Sequence, residues 1–252
     1  MIFIAQSEAV FAKKAAELVM ETFAEAVAKR GRATWALCGG RTPKLALPLL
    51  TEPHYRDRID WKNGIVCWGD ERCVPPDHPD SNYKLAMDLL LSKVPIAPGH
   101  IHRMAGEMTS PQEAARAYEN DLKVLFKFDR PFPKFDLMWL GMGEDGHTAS
   151  LFPGTSALDE TEKWVVGHRV ESQSSSRITL TFPVINNARR VVVLCPGENK
   201  STVLRDIFRP ETPRARYPIQ RLKPVDGELI WLMDKLAAAK LPASVLDKAK
   251  NI

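Results

Sequence analysis

The triplet Asp145-Gly146-His147 is the place in this chain where proton transfer is most easily built. A carboxylate two residues before an imidazole, with a glycine that permits a sharp turn, can fix the ring's tautomer and raise its basicity. A structural histidine capping the next helix is the other reading of the same residues. The stretch Gly141-Met142-Gly143-Glu144-Asp145-Gly146 also spells G-x-G-x-x-G after an apolar run, the pattern of a dinucleotide-binding turn. Three features weigh against that use. The glycines fall past mid-chain, His147 follows at once, and no clear strand ends near Asp159 or Glu160, where the ribose-binding acid belongs. An NAD(P)-binding oxidoreductase is therefore an alternative rather than the main reading.

Two further clusters carry charge or backbone freedom. Gly39-Gly40-Arg41-Thr42 joins an apolar run to a helix start. Glycines there let the backbone approach a ligand, and a helix start offers free N–H groups and the Thr42 hydroxyl to an anion. A tight turn with a threonine cap has the same composition. The segment lacks the spacing of a Walker P-loop. Asp70-Glu71-Arg72 sets three charges at the mouth of another apolar run. It reads as a carboxylate for hydroxyl recognition or acid–base work beside a guanidinium for an anion, or as a solvated loop with an internal ion pair. Lys200, just after Gly197, and Arg177, opening a strand, could add positive charge to the same rim. His54, His78, His100, His102 and His168 have no supporting pattern, and no metal site is expected.

These clusters need a scaffold that brings strand ends together, and the apolar pattern supplies one. Residues 8–30 repeat apolar side chains at helical spacing, with Ser7 as cap and Gly31 as stop. Thr42-Pro43 opens a short helix, Ser81 caps one running through Leu91, and Ser110-Pro111-Gln112-Glu113 is a capping box for one reaching about Phe126. Between them, residues 33–38, 64–68 and 135–140 read as buried strands, with others at 177–182, 190–195 and 228–233. Near-continuous apolar strands alternating with helices predict an α/β fold: a single doubly wound, mostly parallel sheet with helices on both faces. The loop candidates, Ser172–Ser176 and Arg209–Pro218, do not look like boundaries, so residues 1–252 are expected to form one domain. In such sheets ligands bind beyond the carboxyl ends of the strands, where all the clusters above lie.

Bulk composition narrows the partners. Hydrophobic residues make up 44% of the 252 and charged residues 26%, ordinary for a globular chain. The net charge of +4 is spread out, and the most basic stretch, Arg205 to Arg221, is broken by prolines and acids. That favours a local pocket for a small anion over a nucleic-acid surface. Four cysteines without a C-x-x-C pair predict reduced thiols and a cytosolic setting. Neither a secretion signal nor a membrane span is expected.

Taken together, the strand ends resemble one family. Gly39-Gly40-Arg41-Thr42-Pro43 resembles the G-G-S-T-P phosphate loop of the 6-phosphogluconolactonases. Asp70-Glu71-Arg72-x-Val74-Pro75 with Ser81-Asn82, the run Gly141 to Gly154, Arg177-Ile178-Thr179-Leu180-Thr181, and Gly197-x-x-Lys200 follow that family's blocks in order. The family usually has Ser where this chain has Arg41, so either Arg41 meets the phosphate or the backbone does that work alone. The related glucosamine-6-phosphate deaminases resemble D-E-Y at the second block and carry a Glu five residues after the His; here that position is Phe152. The resemblance implies hydrolysis of 6-phospho-D-glucono-1,5-lactone without metal or organic cofactor, by a monomer or weak homodimer. On this reading His147 is the base for water and Asp145 its orienting partner, and either an Arg, with Arg72 the candidate, or a backbone N–H stabilises the oxyanion. Asp70 would meet sugar hydroxyls, and Gly39, Gly40, Arg41, Thr42, Arg177 and Lys200 the phosphate.

Overall fold

The computed structural model describes residues 1–127, 131–213 and 216–252. Its centre is a seven-stranded sheet built from β1 (Ile2–Ala5), β2 (Ala33–Leu37), β3 (Gly64–Trp68), β5 (Leu137–Leu140), β8 (Arg190–Leu194), β9 (Glu228–Asp234) and β10 (Lys250–Asn251). The order is β10-β1-β9-β8-β5-β2-β3, and every neighbouring pair is parallel. The central strands are apolar and buried along their length, as strands covered on both faces must be. Trp35 of β2 and Trp139 of β5 meet edge to face at 4.9 Å, and Phe23 from the first helix packs on Trp35 at 6.0 Å.

That first helix, Glu8–Arg30, begins and ends where its signals predict. Ser7 Oγ accepts from Val10 N, and Gly31, at φ +73°, closes the last turn by donating to Val27 O. The helix Pro111–Leu125 starts on the Ser110 hydroxyl, which accepts from Glu113 N. The helix capped by Ser81 stops at Leu89, shorter than expected, and a 3₁₀ turn at Leu91–Lys93 follows. The outer edge of β3 is not left open. His102 N donates to Val66 O, and the buried Tyr118 hydroxyl bridges the N–H and C=O of Trp68.

The parallel α/β sheet is the expected one, but the chain also builds a second sheet that the sequence pattern did not separate from it. β4 (Asp70–Arg72), β7 (Ser175–Leu180) and β6 (Val165–Val170) form an antiparallel three-stranded sheet in the order β4-β7-β6. The strand predicted over 177–182 is thus β7, and Phe182 already starts the next helix. The serine patch 172–176 is the turn of the β6–β7 hairpin and the start of β7, with Ser174 at φ +48°. Gly69 links the two sheets: its N–H donates to Leu37 O in β2, and its C=O accepts from Leu180 N in β7. β3 therefore leaves one sheet and becomes β4 of the other within a single residue. Of the loop predicted over Arg209–Pro218, residues 214 and 215 lie outside the described residues.

Candidate active site

In the strand order, β2 leads outward to β3, whereas β5, β8 and β9 extend the other way. The carboxyl ends of β2 and β5 therefore flank the switch point where open sheets hold their ligands. A cavity of about 520 Å³ opens there. Gly39, Gly40, Arg41 and Thr42 line it from the end of β2, Asp70 and Arg72 from beyond β3, His147 from beyond β5, and Lys200 from beyond β8. Cys38 also lines it, but burial, followed by the Asp70 charge, pushes its thiol far above the usual range, so it is no nucleophile. Cys67 and Cys195 are likewise buried and raised, and all four cysteines are free.

His147 is held tightly for a residue on a loop. Its Nδ1 lies 2.6 Å from Asp145 Oδ1, and the same oxygen accepts from the His147 N–H at 3.1 Å. An ionised carboxylate at Nδ1 requires the ring proton there and leaves Nε2 with a lone pair. Burial pushes the Asp145 carboxyl up, but the side-chain and backbone hydrogen bonds from His147 outweigh it and hold the group below its ordinary value. Phe152 stacks on the imidazole with centroids 4.0 Å apart and planes at 24°. Gly143 fits against the same ring so closely that a Cβ there would lie 2.0 Å from Nδ1. The turn between them depends on Gly146, at φ +72°, whose carbonyl accepts from Ile219 N. No helix follows this G-x-G-x-x-G; residues 144–150 run through turns and an isolated bridge, so the element a dinucleotide fingerprint requires is missing.

The Asp-Glu-Arg block divides its labour. Asp70 is buried and faces the cavity; Ser150 Oγ donates to its Oδ2 at 2.7 Å, and Asn82 Nδ2 donates to its backbone carbonyl at 2.9 Å. Asn82 comes this close to β2 only because residue 39 is glycine, where a Cβ would fall 1.6 Å from its Oδ1. Glu71 does not line the cavity. It accepts the N–H groups of Arg72, Asn82 and Tyr83, each at 2.8 Å, and the Ser81 hydroxyl at 3.2 Å. Two of those N–H groups are orphan donors of the helix Asn82–Leu89. Burial raises the Glu71 carboxyl, with these three N–H groups pulling against it. A Glu71→Gln chain would turn an amide N–H₂ toward donors. It is expected to lose about 1–3 kcal/mol of folding stability, measured by denaturant unfolding.

Arg72 Nη1 donates to Asp80 O at 2.7 Å, while its buried Nε has no partner. Arg177, by contrast, does not line the cavity. Antiparallel pairing sets it directly beside Arg72, and its guanidinium donates to Ser175 Oγ and Ser176 O. Burial, then the Arg72 charge, lowers its pKa. At the other end of the cavity Gly197, at φ +104°, donates to the Asp234 carboxylate and turns the chain so that Lys200 faces inward. Burial lowers the Lys200 ammonium, the Glu144 charge opposes this, and Arg41 lowers it further. Arg41, though exposed, lines the same cavity. The Thr42 hydroxyl makes no cap bond to the helix Pro43–Ala46. Sequence reasoning missed the roles of Ser150, Asn82, Gly143 and Phe152, although all lie within the motifs it singled out. Among the described residues, no group of three His, Cys, Asp or Glu is placed to hold a metal ion.

The family described as glucosamine-6-phosphate isomerases/6-phosphogluconolactonase matches residues 6–231. The chain belongs to this family. A relative from Synechocystis sp., named 6-phosphogluconolactonase, is 42% identical over 230 residues, covering 91% of this chain and 93% of the relative. A second, of the same name from Nostoc sp., is 39% identical over 89% of this chain and 91% of its own length. Among solved structures, the 6-phosphogluconolactonase from Trypanosoma brucei superposes with a TM-score of 0.83 at 29% identity, covering 96% of this chain and 98% of that one. A monomeric glucosamine-6-phosphate deaminase superposes at 0.78 with 20% identity, a likeness of fold alone.

Proposed function

We infer that the chain hydrolyses 6-phospho-D-glucono-1,5-lactone to 6-phospho-D-gluconate, the hydrolytic step of the oxidative pentose phosphate pathway, with residues 1–252 acting as one domain in the cytosol. The observation that carries the reading is the imidazole of His147, fixed on Asp145 with Nε2 free, in a cavity that also holds Arg41, Arg72 and Lys200. His147 Nε2 takes a proton from water as its oxygen bonds to the lactone carbonyl carbon. The carbonyl oxygen becomes an oxyanion, which Arg72 stabilises. When the intermediate collapses, the bond from that carbon to the ring oxygen breaks, and the imidazolium returns the proton to the departing oxygen. Arg41, Lys200, Thr42 and the Gly39-Gly40 backbone hold the phosphate, while Asp70, fixed by Ser150, meets a sugar hydroxyl. Arg177 acts from behind Arg72, as a neighbouring half-buried charge rather than as a phosphate ligand.

The test is timed hydrolysis of freshly generated lactone at slightly acidic pH, where spontaneous opening is slow. The enzyme is expected to exceed the spontaneous rate; an unchanged rate would remove the assignment. Lys200→Ala is expected to raise KM by about tenfold or more with a smaller loss in kcat, since it removes binding made before and during the reaction. An unchanged KM takes Lys200 out of the phosphate site.

A further inference from the structure

A second hollow lies at the opposite ends of the strands that carry the catalytic loops. It measures about 290 Å³ and sits by Thr34 at the start of β2, Asp136 just before β5 and Arg189 just before β8. Four cations line it: Arg30, Arg32, Lys134 and Arg189. Asp136, 4% exposed, is already committed. Its Oδ2 accepts Thr34 N and Oγ1, and its Oδ1 accepts Arg30 Nε at 2.8 Å. Arg189 Nε lies 3.3 Å from Asp136 Oδ1 yet is buried without a hydrogen bond. Lys134 pairs with Asp226, a carboxylate in open solvent, so that bond is weak. Arg32 forms no ion pair among the described residues; its Nη2 reaches only Leu125 O, at 3.2 Å.

Among the described residues, four cations against Asp136 and Asp226 leave two positive charges unbalanced around a concave surface. Such a surplus concentrates anions, and guanidinium groups bind phosphate oxygens in pairs. The remaining wall is mostly apolar: Phe126, Phe132, Pro133 and Trp164 line it, and the Arg32 guanidinium lies 6.0 Å from the Phe126 ring centroid. We propose that this hollow is a second ligand site, distinct from the catalytic cavity, for a small phosphate monoester that carries a flat ring, the chemistry of a nucleoside 5′-phosphate. The dianion neutralises the surplus on Arg32 and on the exposed end of the Arg189 side chain. The ring lies on Phe126 and Phe132.

Calorimetric titration of the whole chain with adenosine 5′-monophosphate tests this. One molecule per chain is expected to bind, in His147→Ala as in wild type and without displacement by 6-phosphogluconate, so the result stands or falls apart from the lactonase assignment. Arg32→Glu is expected to weaken binding about tenfold or more, as loss of a charge-assisted contact does. Because Arg32 makes only one backbone bond, this variant should keep wild-type lactonase turnover, which also reports that it folds. Adenosine and inorganic phosphate should each bind more weakly than the monophosphate. No binding to wild type, undiminished binding to Arg32→Glu, displacement by 6-phosphogluconate, or equal binding of adenosine or inorganic phosphate would each overturn the proposal.

Discussion

His147→Ala is expected to lower kcat on 6-phosphogluconolactone by about a hundred- to ten-thousandfold, the usual cost of removing a general base. The magnitude follows from how little else in the cavity can accept a proton in its place. Cys38 is held protonated by burial, and Asp70 is committed to Ser150 and Asn82. Phe152 carries no proton acceptor at all. KM should change little, because Arg41 and Lys200, the proposed phosphate ligands, are untouched. Asp145→Asn should fall between wild type and His147→Ala, since the ring remains but loses the charge that fixes its tautomer. The pair also has a pH dependence set by Asp145. Asp145 is depressed in the folded chain, so its stabilising pair with the ring is present above the ordinary carboxylate range and is lost only as pH falls below it. His147→Ala turnover within a few-fold of wild type, in the timed assay, would end its assignment as the base.

The parts of this fold that the sequence displays are those written in local pattern. β2, β3, β5 and β8 are nearly continuous apolar runs, and the helix Glu8–Arg30 carries both its cap and its stop. β6 was hidden because half-exposed Gly167 and His168 and exposed Arg169 interrupt its apolar residues. β10 is only two exposed residues long. Strand partners are invisible in either case, and that is why Arg177 reads as a rim cation when it is in fact paired with Arg72, 105 positions earlier, across an antiparallel ladder. The same limit applies within the site. His147 and Asp145 are near in sequence and were legible together, whereas the Asp70–Ser150 bond spans 80 positions. Phe152 in sequence marks only a missing carboxylate; its ring-on-ring contact with His147 exists only once the turn at Gly146 has folded.

That turn leads to the most discriminating substitution. Gly143→Ala adds one methyl group, and the backbone at this position is not in the left-handed region, so alanine strains nothing by itself. The added carbon would lie 2.0 Å from His147 Nδ1, 2.3 Å from Cε1 and 2.5 Å from Asp145 Oδ1, well inside contact distance. Something has to move, and the imidazole can yield, because its side chain is 28% exposed and, among the described residues, the Phe152 stack and the Asp145 hydrogen bond are what hold the ring. Ring displacement of about 1 Å costs on the order of a hundredfold in rate, since a base out of line with its water loses its advantage. The expected result is a kcat lowered by about a hundredfold or more, with KM near wild type and a melting temperature close to wild type. Loss of kcat without loss of fold would mean that the base must be held in place as well as present. Full activity in Gly143→Ala would mean that the ring is already free to move during turnover, and that its contact with Gly143 does not position it.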